Sequence, residues 1–495
     1  MQNYYLRIEA VNLNNFIYDT RKLPVTRGGS LVCLDAPSAL SHEIRAKLGL
    51  ALREVTSGAS TGLFVFDSDR LTGQKSQVIE AFQTAGYPEP AAGLNVVSLI
   101  QRYAECFLRS HSGFQHATIV VDVIPCAAGS YRKNCESAMA ANRWRQMGSL
   151  STAVPNPGNC DEIACHWDGV RPAVDDIGGS VWISESVKSR RLKGSKENKR
   201  VFHAQWCGMH PKDLPTFTDD FEELATGGPG NLNRKIAVIH IDGNKFGVIQ
   251  REVCKTEQGQ ENFDRFLQDH RRELFRTLLR EFATNSEWHN GEDLRFETLV
   301  WGGDEMTWVV PAWTGMQLLL RFYELCRGWT YPVEGGMPLH HSAGFVFCHH
   351  KAPIHRVVRL AEDLIEIAKG VSSEPHIAYA VLESFDHLGV EAKGYLAKHI
   401  AEPLGLKLAD LVLTPSGLEA LRKARPILER EEMPKRKLMR AVRERFAGHP
   451  AAAADARRDL RSDVGVRNAL IAVTGISGGE GSIEYHLAEL WDYLR

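Results

Sequence analysis

The chain has 495 residues, more than one ordinary domain holds, so about two to four domains are expected. Hydrophobic residues make up 43% and charged residues 24%, with a formal net charge of −2, which indicates a soluble globular protein and excludes a global basic excess. No opening segment resembles a signal peptide, no apolar run is long enough to cross a bilayer, and ten scattered cysteines fit reduced thiols. We therefore expect a cytoplasmic protein that makes no contact with a membrane.

The first part of the chain alternates between strand-like and helical patterns. After the first strand, two helices are predicted, with Ser30 as the N-cap of the second. Together the elements give a β-α-β-β-α-β order. The predicted ranges are a strand over 4–10, a hairpin over 55–66 with Gly58 and Gly62 near its turn, helices over 77–82 and 99–108, and a strand over 118–124.

The middle of the chain has less regular patterns. A helix is predicted over 131–147, and a loop opens at Val154 and continues to Trp167. The basic segment 188–200 is expected to be a solvated loop, with an RNA-backbone contact as the alternative. Glycines and a proline over 227–230 mark a linker into the next part of the chain.

A second β-α-β-β pattern begins at residue 235. An apolar strand over 236–241 ends in Asp242-Gly243, and an amphipathic helix follows over 261–282. Strand-like runs over 296–301 and 306–310 then flank Gly302-Gly303-Asp304-Glu305, a tight hairpin turn.

The topology of these elements predicts a cluster of carboxylates. In a ferredoxin-like sheet the third strand lies antiparallel between the first and second, so Asp242 and Asp304-Glu305 would converge at one edge. Close carboxylates repel unless a cation sits among them, and oxygen ligands on such loops suit Mg²⁺ or Mn²⁺. Two such ions about 3.5–4 Å apart would support nucleotidyl transfer. The alternative is an ordinary acidic hairpin turn.

The remainder predicts a fourth strand and a mostly helical end. The strand covers 341–347, and the helix after it has Pro353 in its first turn and Lys369 at its end. At that position the positive charge of Lys369 would interact favourably with the helix dipole. Helix formers punctuated by prolines continue from about residue 396 to the C-terminus.

Residues 235–383 resemble the palm domains of GGDEF diguanylate cyclases, class III nucleotide cyclases and the large polymerase-like subunit of type III CRISPR effector complexes. The resemblance rests on the strand ending in Asp242, the Gly302–Glu305 turn, and the Ser-Ala-Gly strand and helix that follow. The opening run NFI…TRKL…RGGS is similar to the start of the first palm of the CRISPR subunit, which adds a narrower signature.

The resemblance implies an α+β protein with two ferredoxin-like (palm, nucleotide-cyclase-like) domains, a candidate zinc-containing segment between them and a C-terminal helical domain. The expected boundaries are 1–130, 131–230, 231–390 and 391–495. The first palm has Ser57-Gly58-Ala59-Ser60 where the second has its acidic turn, so it is expected to be catalytically silent. It would help to hold a second nucleotide, or serve only as a structural pseudo-domain.

The resemblance also implies the site residues. Asp242, Asp304 and Glu305 would bind magnesium and carry catalysis. Six residues are expected to contact the nucleotide: Gly243, Asn244, Phe246, Gly302, Gly303 and Lys369. Lys369 would contact its phosphate. The candidate zinc ligands are Cys160, Cys165, Cys207 and His210, although the chain lacks the family's CxxC pairs, and buried cysteines without metal are the alternative.

The implied function is conversion of ATP into cyclic oligoadenylate in antiviral defence, with release of pyrophosphate. CRISPR effector subunits with crRNA and target RNA are the implied partners. Members of the family frequently begin with an HD-type nuclease domain, and this chain starts with the palm, so DNA cleavage is not expected. A diguanylate- or mononucleotide-cyclase-like enzyme and a non-catalytic nucleotide-sensing scaffold stay open as alternatives.

Overall fold

The structure is a computed structural model that describes residues 3–58, 60–67, 73–127, 129–148, 163–383, 391–430 and 435–494. Helices and strands are mixed along the chain, as expected for an α+β protein, and the C-terminal part is helical. The chain divides into two compact units. The first contains Met1–Phe202, Gly247–Arg271 and Leu299–Gly303, and the second contains His203–Phe246, Arg272–Thr298 and Asp304–Arg495.

The first unit is built on a four-stranded sheet. Its strand order is β2-β3-β1-β4, with every neighbouring pair antiparallel. The predicted strands, hairpin and helices of this region are confirmed. From the N-terminus the elements are β1 (Asn3–Val11), α1 (Leu13–Ile17), α2 (Leu23–Leu48), β2 (Arg53–Gly58), β3 (Thr61–Asp67), α3 (Lys75–Thr84), α4 (Val96–Ser110), β4 (Thr118–Pro125), α5 (Tyr131–Gly148), β5 (Asp175–Asp176), β6 (Trp182–Ile183), α6 (Glu185–Lys193) and α7 (Lys196–Cys207).

Helix α2 passes through the glycine pair that was expected to precede a helix start. Ser30 lies inside α2 and is not its N-cap, so that prediction was wrong. The reason is close packing against α6: a Cβ on Gly28 would lie 1.8 Å from the carbonyl oxygen of Arg190, and one on Gly194 would lie 1.9 Å from that of Pro24. The glycines therefore allow two helix backbones to touch, which a local pattern does not reveal.

The basic segment 188–200 is helical, so its prediction as a loop was also wrong. Arg190 is 1% exposed and donates two hydrogen bonds to the carboxylate of Asp19, at 2.7 and 2.8 Å. It also donates to the carbonyl oxygen of Phe16. Arg190 is thus a buried charge with a structural role, and loss of its partner Asp19 would leave that charge uncompensated.

The second unit is built on a six-stranded sheet in the order β11-β12-β8-β15-β16-β17. The predicted strands at 236–241, 296–301, 306–310 and 341–347 are all present. Along the chain up to residue 381 the elements are β7 (Thr216–Phe217), α8 (Phe221–Ala225), β8 (Lys235–Gly243), α9 (Phe246–Val253), α10 (Glu257–Ala283), β9 (His289–Asn290), β10 (Asp293–Leu294), β11 (Glu297–Gly302), β12 (Glu305–Pro311), α11 (Gly315–Cys326), β13 (Thr330–Tyr331), β14 (Met337–Pro338), β15 (His341–His349), α12 (Ile354–Lys369) and β16 (Ile377–Val381). Most of α9, the first part of α10 and most of β11 fall within the first unit's ranges.

Strand pairing in this sheet agrees with the predicted topology. Strand β8 pairs antiparallel with β12 on one side and with β15 on the other, and β16 runs parallel to β15. The four strands β11-β12-β8-β15 have the same order, by position in the chain, as the four strands of the first unit. The internal repeat of β-α-β-β-α-β topology was therefore predicted correctly at the level of strand order.

Helices cover both faces of the second sheet. On one face Trp308 of β12 stacks on Phe275 of α10, and Gly315 at the start of α11 lies against Ala237. On the other face α12 approaches so closely that a Cβ on Gly344 would lie 1.9 Å from the carbonyl oxygen of Ala361. This second face is the one that carries the candidate site.

The C-terminal part adds helices, as the proline-punctuated pattern predicted, and one short edge strand that was not predicted. Of the described helices, none is long and apolar enough to span a bilayer. The elements are α13 (Ala392–Leu396), a π-helical turn (Ala397–Ala401), α14 (Glu402–Leu404), β17 (Val412–Leu413), α15 (Pro415–Arg430), α16 (Lys435–Phe446), α17 (Pro450–Leu460), α18 (Val464–Ile471) and α19 (Gly479–Leu490).

Candidate functional site

The register of three strands brings two acidic residues of the second unit together. Met306 of β12 lies opposite Ile241 of β8, so the preceding residue, Glu305, reaches the level of Asp242. On the other side Ser342 of β15 lies opposite Asp242. The predicted convergence of the strand end with the hairpin is therefore present in the backbone pairing, because alternate residues of paired strands share a face.

Asp242 is held by two donors. Its Oδ1 accepts a hydrogen bond from the backbone N–H of Gly243 at 2.9 Å, and its Oδ2 forms an ion pair with Nζ of Lys369. Lys369 ends α12 and was expected to favour the helix dipole or to meet a phosphate. The position at the helix end is confirmed, and the side chain also reaches across 127 positions of sequence to pair with Asp242. Its contact with a phosphate stays a prediction.

Glu305 has a strongly shifted ionisation. Desolvation of its carboxyl, followed by the negative charges of Asp242, Glu362 and Asp304, raises its pKa to about 7, although 42% of the side chain is exposed. Asp304 occupies the turn and contributes to this repulsion. The shift therefore arises first from burial of the carboxyl and then from the carboxylates near it.

His240 is a site residue that the sequence reasoning missed. It is 4% exposed, its Nδ1 lies 2.8 Å from Oγ1 of Thr307, and its Nε2 lies 3.7 Å from Oε1 of Glu305. Burial lowers its pKa to about 4, so the imidazole is neutral at pH 7. A histidine two residues before Asp242 in an otherwise apolar strand was the available signal, since both positions face the same side of the sheet.

A buried arginine of the first unit, which the sequence reasoning also missed, holds the Gly303 end of the hairpin turn. Gly303 has φ of +44°, a conformation that favours glycine, and its carbonyl oxygen accepts a hydrogen bond from Nη1 of Arg271 at 2.6 Å. The guanidinium of Arg271 lies 4.2 Å from the ring centroid of Trp301. Gly302 ends β11 in the same turn. Arg271 is thus a positioning residue for the turn.

Asn244 and Phe246 fasten the loop that follows β8. The side-chain amide of Asn244 donates to the carbonyl oxygens of Ser373 and Glu374, both at 3.0 Å. Phe246 is 3% exposed, and its ring lies so close to Gly243 that a Cβ there would come within 2.2 Å. Both residues therefore have internal structural roles in this arrangement, and their contact with a nucleotide stays a prediction.

The described residues contain no group of three or more His, Cys, Asp or Glu side chains that could hold a metal ion as placed. The chemistry of the donors at the candidate site nevertheless suits a hard cation: two carboxylates at one level of the sheet, a third in the turn, and a proton on Glu305 that repulsion retains. Lys369 supplies the only positive charge seen on Asp242 among these described side chains. The residues therefore fit a divalent cation that replaces this proton and lysine.

The candidate zinc ligands are divided between the two units, so each is described by itself. Cys160 lies outside the described residues. Cys165 is buried beside Val25 and Ile183 in the first unit. In the second unit Cys207 lies with its Sγ 3.5 Å from the carbonyl oxygen of Ala204, and Nδ1 of His210 accepts from the backbone N–H of Lys212. The zinc site and its alternative, buried cysteines without metal, both stay predictions.

Comparison with known families identifies the palm. Residues 235–377 match the model described as Cas10/Cmr2, second palm domain. Over these residues the chain is similar to a Cas10-type palm domain. This confirms the predicted resemblance to the large subunit of type III CRISPR complexes, over the region that contains Asp242, the acidic turn and β15. No curated protein sequence matches the chain.

Solved structures agree with this Cas10-like fold. A Csm1–Csm4 cassette in complex with cA4 matches with a TM-score of 0.54 and 13% identity, covering 100% of this chain and 70% of that chain. The cassette in complex with cA3 matches with a TM-score of 0.53 and 13% identity, covering 100% of this chain and 69% of that chain. For a cassette in complex with one ATP the TM-score is 0.45 at 12% identity, covering 79% and only 56%. At such identities the two matches with TM-scores above 0.5 show the fold alone.

Proposed function

We propose that this Cas10-like chain is a nucleotidyltransferase that joins ATP units into cyclic oligoadenylate with release of pyrophosphate. The observation that carries the proposal is the placement of Asp242 and Glu305 at one level of adjacent strands, where burial and then the acidic neighbours raise the pKa of Glu305. A carboxyl pKa raised in this way is typical of a functional site that binds a cation, in the state without the cation.

The proposed site would use each carboxylate as a ligand. Asp242, Asp304 and Glu305 would hold magnesium or manganese, which supplies charge stabilisation for an attacking ribose hydroxyl and for the leaving pyrophosphate. Glu305 would release its proton on binding. Lys369 would exchange the carboxylate of Asp242 for a phosphate, a short movement for a flexible side chain whose charge a triphosphate would also attract.

The surrounding residues would orient these groups. His240 is neutral and buried, so it adds no competing positive charge. Its imidazole lies beside the carboxyl group of Glu305 and would help to orient it. Arg271 would keep the turn at Gly303 in the conformation that lets backbone approach a phosphate. Gly243, Asn244 and Phe246 would hold the loop at the nucleotide's edge.

The finer architecture belongs to the same proposal. Both four-stranded arrangements would be ferredoxin-like palms, supported by their shared strand order. Ser57, Gly58 and Ser60 leave the first hairpin without acidic side chains, so that palm would bind without reacting. Matched Csm1 chains were solved with Csm4 and with cA3, cA4 or pppApA, which supports a Csm4-like partner subunit and adenylate ligands here.

The test is turnover of labelled ATP with Mg²⁺ or Mn²⁺, by the protein alone and with partner subunits, crRNA and target RNA. The variant D304A/E305A removes two carboxylates from the site. Its matched control is E136A/D455A, which removes two carboxylates that are each 61% exposed on helices α5 and α17.

Cyclic oligoadenylate made by the wild type and the control, but reduced at least a hundredfold in D304A/E305A, is the expected result. Equal products from GTP would instead support a cyclase of the diguanylate kind. Binding of ATP without turnover under every condition would overturn the enzyme and favour a nucleotide-sensing scaffold.

A further inference from the structure

Helix α16 concentrates positive charge on an otherwise nearly neutral chain. Its twelve residues include six basic side chains and one acidic side chain. Leu438 and Ala441 are buried, and this apolar side packs against α17 and α19. The opposite side of the helix is therefore the one presented to solvent.

Three arginines form a row on that opposite side. Arg436, Arg440 and Arg443, here called the arginine stripe, are all exposed. At about 100° per residue they fall within about 60° of the helix circumference, and they span about 10 Å along its axis. Neighbouring members are thus about one helical turn apart.

Nearby charges do not neutralise the stripe. Lys437 pairs with Asp459 at 3.3 Å, and Glu444, the acidic residue of the helix, contacts Nδ1 of His449 at 3.1 Å. Within the described ranges, no carboxylate forms an ion pair or hydrogen bond with a stripe guanidinium. Two exposed basic residues on other helices differ, since Arg132 pairs with Glu136 and Lys423 pairs with Glu419. A row of like charges without counter-charges favours binding of a polyanion.

We propose that the arginine stripe binds the phosphodiester backbone of single-stranded nucleic acid. Guanidinium groups donate two parallel hydrogen bonds to a phosphate, and their steps of about 6 and 4.5 Å along the axis suit successive anionic groups on a linear chain. A protein partner is disfavoured because the row has no apolar centre, which protein interfaces need and phosphate binding does not. The surface acts independently of the nucleotidyl-transfer site.

The test is fluorescence anisotropy of the full-length protein with an end-labelled oligouridylate of about 20 nucleotides. Oligothymidylate DNA and a polyglutamate peptide are the other two probes. The variant R436Q/R440Q/R443Q is compared with R102Q/R132Q/K423Q, which loses the same charge at exposed positions that pair with carboxylates on their own helices. Both should unfold at the temperature of the wild type.

The stripe variant is expected to bind RNA and DNA at least tenfold more weakly near 100 mM salt. Its plot of log affinity against log salt should be shallower by about 2, since each phosphate contact on a single strand contributes about 0.7. The control should bind within twofold of the wild type. The same stripe effect in a D304A/E305A background separates this surface from the nucleotide site.

Three outcomes would overturn the proposal. One is an unchanged salt slope in the stripe variant, and another is an equal loss of affinity in the control variant, which would indicate a general charge effect. The third is stripe-dependent binding of the polyglutamate peptide without any change in RNA and DNA binding, which would assign the surface to an acidic protein.

Discussion

At the scale of single residues, the candidate site carries less charge than its residue types suggest. Glu305 retains a proton up to about pH 7, His240 is neutral above about pH 4, and Asp242 is matched by Lys369. A cation that binds here would displace a proton from Glu305, so its affinity should rise as pH increases through 7. The raised pKa of Glu305 thus reflects burial first and then the repulsion of the acids around it.

The raised pKa of Glu305 makes a prediction about stability. Its folded-state pKa of about 7 exceeds the ordinary 4.5, so between these values the folded chain holds a proton that the unfolded chain has released. The free energy of unfolding contributed by this group therefore falls as pH rises through that window. Glu305→Gln should remove this decline. Between pH 4.5 and 7.5 its free energy of unfolding should rise by about 1 kcal/mol relative to that of the wild type, a small value because solvent screens the exposed side chain.

Urea unfolding at three pH values across this window measures the difference. Glu136→Gln, an exposed carboxylate on α5, is the control and should differ from the wild type by a constant amount. A difference between Glu305→Gln and the wild type that does not vary with pH would contradict the raised pKa.

At the scale of elements, close backbone approach decides how several helices pack. Gly28 and Gly194 let α2 and α6 touch, and Gly344 lets α12 lie on the sheet above the candidate site. Without the last contact, Lys369 at the end of α12 would be too far from Asp242 to pair with it. Small residues at these crossings therefore set the geometry of charged residues elsewhere on the same helices.

Gly28→Ala tests this packing. The added Cβ would meet the carbonyl oxygen of Arg190, a backbone atom that cannot move by itself, so the free energy of unfolding should fall by about 3 kcal/mol or more. Gly247→Ala is the matched control, because Gly247 lies in α9 with no heavy atom within 4 Å of an added Cβ. It should be neutral or stabilising by up to about 1 kcal/mol. Denaturant unfolding distinguishes the two, and equal effects would refute the close contact.

At the scale of the whole molecule, buried neutral histidines tie its stability to pH. His486 in α19 is fully buried, with Nδ1 2.7 Å from the hydroxyl of Tyr379 and Nε2 3.0 Å from the carbonyl oxygen of Asp410. Burial lowers its pKa to about 4. It links the sheet of the second unit to the C-terminal helices, so its protonation would loosen the attachment of the helical part.

The sign of this dependence follows from the lowered pKa. The unfolded chain binds a proton at His486 below about pH 6.5 and the folded chain does not, so stability is lost as pH falls from 6.5 towards 4. His486→Gln, which keeps a donor and an acceptor, should flatten that loss by on the order of 2 kcal/mol. Thermal unfolding between pH 4 and 7 measures it, with exposed His399→Gln as the control. An acid limb as steep as in the wild type would contradict the assignment.

The amino-acid sequence by itself determined the order of strands and helices, the acidic hairpin and the resemblance to Cas10-like palms. These features are local: a period of two or 3.6 residues, a glycine pair at a turn, and a motif of adjacent letters, all of which short windows of sequence carry. The convergence of Asp242 with Glu305 also followed, because strand pairing leaves few topologies for this order.

Only the tertiary structure decided the ion pair of Lys369, the pKa of Glu305, the neutral state of His240 and the hold of Arg271 on the turn. Each of these depends on residues far apart in the chain and on the water that packing removes from around them. Local patterns misplaced Ser30 and the segment 188–200 for the same reason, since contacts between helices overrode them. Electrostatics and close packing are sums over distant neighbours, and the fold alone selects those neighbours.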